Sequence, residues 1–115
     1  MPRRNPEQAI HMLDQLTQFF EDGRRWTKGA FHDHEGNRCL IGAMTHVRAV
    51  MQISGDGTGY YLRQAQPQHR YKKIIDFNDD CQSYDEIRAL LDRARALAQA
   101  ELAAARVTPG LRRAA

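Results

Sequence analysis

The residue best suited to covalent chemistry is Cys39, within GNRCLIGAMTHV at 36–47. A turn at Gly36-Asn37 runs into it just where an amphipathic helix should begin. A thiol at a helix N-terminus meets unpaired amides and the positive end of the helix dipole, and both stabilise a thiolate. Cys81 instead follows Asp79 and Asp80, whose charge disfavours a second anion. A thiol enzyme also needs a base within hydrogen-bond reach. His46 lies about two turns, or roughly 10 Å, further along the helix. The base would therefore have to be His32 or His34, oriented by Asn78 or Asp79. Beside this stands the structural alternative, because cysteine is among the most often buried residue types.

Three other stretches carry chemistry-bearing residues. His32, Asp33, His34 and Glu35 are metal-ligand types, but a tight zinc site draws on two separated ligand pairs rather than one loop tip, so no metal is assigned. Phe77-Asn78-Asp79-Asp80 lies between two expected helices, where an amide and a carboxylate serve either a substrate or the unpaired amides of the 26–43 region. Tyr60, Tyr61, Arg63, His69, Arg70, Tyr71, Lys72 and Lys73 interleave aromatic rings with positive charge, as single-strand nucleic-acid binders do. Trp26, Arg70, Lys72 and Lys73 are the candidate binding residues. Gly55-Asp56-Gly57-Thr58-Gly59 has glycine spacing but no preceding strand or lysine for a phosphate loop, and reads as a linker.

The elements that must position these groups are mostly helical. Asn5 as N-cap and Pro6 at the first helical position open a helix carrying Ala9, Ile10, Leu13, Leu16 and Phe20 at helical spacing, running to about Asp22 and stopping at Gly23. The helical period is lost from Trp26 to Arg38, where a short hairpin or an ordered loop fits. A second helix covers about Cys39 to Met51, with Leu40, Met44, Val47 and Met51 in one stripe. Gly42 in that helix implies close backbone approach, expected from the first or last helix. Shorter helices are expected at Tyr60 to Ala65 and about Gln68 to Asp76. Ser83-Tyr84-Asp85-Glu86 is a capping box for a final helix whose face is Ile87, Leu90, Leu91, Ala94, Leu97 and Ala98, ending near Ala105 before RVTPG.

At 115 residues the chain has room for one hydrophobic core. The expected division is a single helical domain over 1–106 and a flexible basic tail over 107–115. The net charge of +3 belongs largely to the ends, since five of the 17 basic residues are Arg3, Arg4, Arg106, Arg112 and Arg113, leaving 12 against 14 acidic ones. A wholly basic nucleic-acid-binding face is therefore not implied. No signal peptide or membrane span is readable, so the expected location is the cytoplasm, with two free thiols.

Taken together, W-T-K-G-A-F at 26–31, G-N-R-C-L-I-G-A at 36–43, I-I-D-F-N-D at 74–79 and S-x-x-E-I-x-A-L-L-D-R-A at 83–94 resemble a family of short bacterial proteins that form a domain of unknown function. The resemblance spans about residues 9–98. It implies a small helical domain and no particular reaction, and the histidine-rich tip lies outside its pattern.

The sequence therefore predicts a mainly α bundle of about four to five helices, with a small β-hairpin or irregular insert after the first, bridged to the helices by Trp26, Phe31 and Phe77. Its function is read as a non-catalytic accessory or interaction module without cofactor, binding a protein partner or itself through the alanine-rich last helix. The two alternatives are a thiol-dependent hydrolase or transferase using Cys39, and nucleic-acid binding through 60–73.

Overall fold

The computed structural model describes residues 5–53, 57–67 and 73–114, from 107 onward by backbone alone. Among these residues it contains five α-helices: α1 Pro6–Phe20, α2 Leu40–Met51, α3 Thr58–Ala65, α4 Ile74–Asp80 and α5 Tyr84–Ala114. A 3-10 turn, Glu21–Gly23, continues from α1.

Local signals set most helix starts. The Asn5 side chain accepts the Gln8 amide at 3.1 Å. Cys39 is the N-cap of α2, its Sγ accepting the Gly42 amide at 3.4 Å. Glu86 reaches back to the Ser83 amide at 3.4 Å and to the Gln82 amide, the acidic half of a capping box. α4 begins later than the sequence reading placed it and runs through Asn78 and Asp79, which are thus helical residues rather than a connection. α5 continues past the expected stop near Ala105. Proline in a helix interior leaves one carbonyl without its amide donor, the basis for reading a stop at Pro109, but here the helix runs on to Ala114.

α5 is the central support, packing mainly against α1 and α3. Its Ile87, Leu90, Leu91, Ala94 and Ala98 are buried against Met12, Leu13, Leu16 and Phe20 of α1 and Tyr61 and Leu62 of α3. Met12, absent from the predicted stripe, is wholly buried, whereas Leu97 is 41 % exposed. Arg95 holds α5 to α1 through two hydrogen bonds to Asp14, at 2.6 and 3.3 Å.

The expected β-hairpin does not form. The 24–39 segment contains only two isolated bridges, Trp26 with Arg38 and His32 with Arg38. Gly29 and Gly36 take positive φ angles of 81° and 84°, which bend the chain out of an extended path. Backbone groups that a hairpin would pair internally are bound by helix side chains instead: the Gly29 amide donates to Asp79 and the Thr27 carbonyl accepts from Asn78. The Phe31 ring, expected to bridge the insert to the core, is 55 % exposed, and it is its backbone that packs.

Gly42 explains that packing. A Cβ there would lie 2.1 Å from the Phe31 carbonyl oxygen, so the close approach is to the insert, not to another helix. The same carbonyl accepts the Cys39 amide at 3.2 Å. Gly42→Ala is expected to lower stability by about 1–3 kcal/mol, because backbone must move to admit the methyl. Chemical denaturation checks this, with Ala49→Gly on the exposed side of α2 as the control for helix propensity alone.

Candidate functional site

Asn78 brings together the polar residues singled out in the sequence. It is fully buried on α4. Its Oδ1 accepts two hydrogen bonds, from the Trp26 indole Nε1–H at 2.9 Å and the Leu40 amide at 3.0 Å. Its Nδ2 donates to the Thr27 carbonyl at 3.2 Å. One carboxamide thus joins α4, the start of the insert and the N-terminus of α2. An amide fits because the site presents two donors and an acceptor together, and a carboxamide offers an oxygen with two lone pairs and a separate N–H donor without a charge.

The next residues extend the clamp. Asp79 Oδ1 accepts the Gly29 amide at 2.8 Å. Lys28 Nζ donates to the Cys81 carbonyl at 2.8 Å, a cation placed at the C-terminal end of α4 where the helix dipole is negative. The neck of the insert closes through Thr27 N to Arg38 O at 3.0 Å and Arg38 N to Arg25 O at 2.8 Å. Lys28 and Gly29 are the members of this cluster that reasoning from single motifs missed. Their segment was visible as W-T-K-G, but nothing in it named partners about fifty residues away.

Cys39 lies one residue from this network, yet its side chain is 0 % exposed and takes the Gly42 amide. Cys81 is also buried and points its Sγ at the Phe77 carbonyl, 3.2 Å away. Burial, with Glu86 and Asp80 adding negative charge and Lys28 opposing them, pushes the Cys81 thiol up to about 12. Both cysteines are free thiols.

At the tip of the insert, Asp33 Oδ1 accepts the amides of Glu35 and Asn37, each at 2.9 Å, and Oδ2 accepts Asn37 Nδ2 at 3.1 Å. Desolvation acts upward on the Asp33 carboxyl, but these hydrogen bonds and the nearby His34 outweigh it and hold it below its ordinary value. His32 and His34 flank this turn and are exposed. Among the described residues no group of three or more His, Cys, Asp or Glu side chains could hold a metal ion.

The candidate binding residues separate. Trp26 belongs to the Asn78 network. Lys73 is exposed at the N-cap of α4, and Arg70 and Lys72 lie outside the described residues, as does Tyr71. Two surface grooves lie elsewhere. One, of about 280 Å³ between α1 and α2, has Phe19, His46, Val50 and Met51 among its walls, with the Phe19 and His46 rings 5.4 Å apart. The other, of about 150 Å³ between α3 and α5, is lined by Tyr60, Tyr61, Gln64, Leu97 and Glu101. Neither is lined by Cys39, Asn78 or Asp79.

Residues 4–97 match the model of a family described as "Family of unknown function (DUF6197)". The chain belongs to this family. No curated protein and no solved structure matches it. The DUF6197 match takes in the whole Asn78 network and both cysteines, together with α1–α4 and the first half of α5. No helix among the described residues is long and apolar enough to cross a membrane.

Asn78→Ala removes the acceptor for two donors, the Trp26 indole and the Leu40 amide, and leaves the Thr27 carbonyl without its amide donor. The expected loss is about 2–5 kcal/mol, since each buried group left unpaired costs roughly 1–3 kcal/mol. Trp26→Phe, which takes away a donor together with its hydrogen bond, should cost less. Urea unfolding of both variants, followed by circular dichroism, checks the order.

Proposed function

We propose that the chain is a non-catalytic interaction module, working through its surface rather than through a reactive site. The observation that supports this most directly is that Asn78, Asp79, Lys28 and Cys39 are engaged by Trp26 and by backbone groups of the fold. Asn78 makes three hydrogen bonds inside the fold. Asp79 and Lys28 hold the insert. The Cys39 thiol is enclosed and caps α2. A nucleophile must be reached by substrate and by a base, and the only side-chain hydrogen bond of Cys39 described is the one from a backbone amide.

The surface offers what a binding role needs. Phe31, Val50 and Leu97 are large apolar side chains left 55 %, 68 % and 41 % exposed. Phe31 sits on a segment tied down at Trp26, Lys28 and Gly29, so ordering it costs little entropy on binding.

Alkylation of the native protein, read for each cysteine by mass spectrometry, tests the reading. Cys39 should react only as fast as the protein unfolds, and Cys81 should lag as well. Labelling of native Cys39 at the rate of a free thiol, with a transition below the usual value of roughly 8.5, would contradict it and restore a thiol-dependent reaction.

A further inference from the structure

We propose that two copies of this chain pair antiparallel along the outer face of α5, with a two-fold axis beside residue 99. This rests on the interaction-module reading above and names its partner. The first observation is an apolar projection next to a recess. Leu97 is 41 % exposed and forms one wall of the groove it lines with Tyr60, Tyr61, Gln64 and Glu101. Positions 97 and 101 lie equally far on either side of 99. A two-fold axis there carries each Leu97 onto the Glu101 end of the other copy's groove, a self-complementary contact of the kind a two-fold dimer requires.

The second observation is independent of the first. Asp92 and Arg106 also lie symmetrically about 99, and both are exposed. Fourteen residues at 100° each place them about 40° apart around the helix, on the flank opposite Leu97. In an antiparallel two-fold pair each flank meets the same flank of its partner. Asp92 of each copy therefore faces Arg106 of the other. Among the described residues each makes one exposed ion pair in the monomer, Asp92 with Arg88 at 3.2 Å and Arg106 with Glu7 at 3.8 Å. Such pairs are weak, so exchanging partners costs little.

Between the two flanks the outward face allows close approach. Ala96, Ala100, Ala103 and Ala104 are all exposed there. Arg93, a long side chain on this face, is drawn toward α3, its Nε donating to the Ala65 carbonyl at the end of that helix at 2.8 Å.

Sedimentation equilibrium on the full chain tests the pairing, with circular dichroism confirming that each variant is folded. The wild type is expected to reach a two-chain mass, and Leu97→Asp to remain a single chain. Asp92→Arg alone and Arg106→Asp alone should each weaken association by about tenfold, and the two together should restore it. A wild type that stays single-chain at the highest accessible concentration overturns the proposal. So does a dimer indifferent to Leu97→Asp, or one in which the double exchange fails to rescue the single changes. Those outcomes leave the protection of Cys39 untouched, whereas rapid labelling of Cys39 would remove the module reading without altering the mass.

Discussion

A single buried carboxamide governs the arrangement of the front half of this protein. The 24–39 insert forms no strand or helix and pairs part of its backbone internally, as at Thr27–Arg38 and Cys39–Phe31, so the remaining backbone polar groups need partners from outside. Asn78 supplies an acceptor and a donor at the place where three segments meet. Its two accepted hydrogen bonds fix the Trp26 ring and the first amide of α2, and its donated bond fixes Thr27. At the C-terminal end of α4 the clamp continues from Asp79 to the Gly29 amide and from Lys28 to the Cys81 carbonyl. The insert then lies flat enough over α2 for the Phe31 carbonyl to occupy the space a side chain at position 42 would fill. Helix start, glycine and loop are consequences of one another.

The back half works differently. α5 turns one side to α1 and α3 and buries aliphatic residues there, with the Arg95–Asp14 pair bridging to α1. Past Ala98 no described side chain on α5 is fully buried, although the backbone remains helical to Ala114. The Tyr61 hydroxyl donates to Glu101, which ties this later turn to α3. The hydrogen-bonded clamp around Asn78 thus belongs to the front half, while exposed alanines and Leu97 line the outer side of the last helix.

Features encoded within four or five residues were legible in the sequence. Asn5, Cys39 and Glu86 were each recognisable as helix-start residues, because a cap is satisfied by its immediate neighbours. The core faces of α1 and α5 followed from periodicity, with Met12 and Leu97 as the exceptions at the edges of their stripes. Asn78 and Asp79 were identified as worth attention, and their structural use as partners for amides in 26–43 was foreseen. What could not be read was the pairing itself. Trp26 and Asn78 are 52 residues apart, and no periodicity links them. The hairpin expectation failed for the same reason: the alternation was weak, and the Gly29 amide and Thr27 carbonyl that a ladder would have paired are bound by α4. Gly42 signalled close approach correctly, but the approaching group was a loop carbonyl.

The measurement that tests this account most directly is native-state hydrogen exchange of the Trp26 indole N–H and the Leu40 amide, followed by NMR. Both donate to Asn78 Oδ1. If that oxygen anchors the insert, the two protons exchange together, with protection close to that of the buried amides of α5, because they are released only when the fold opens. Exchange of the indole proton at the rate of an exposed tryptophan, while the helices stay protected, would contradict the account and reduce Asn78 to a local cap of α2.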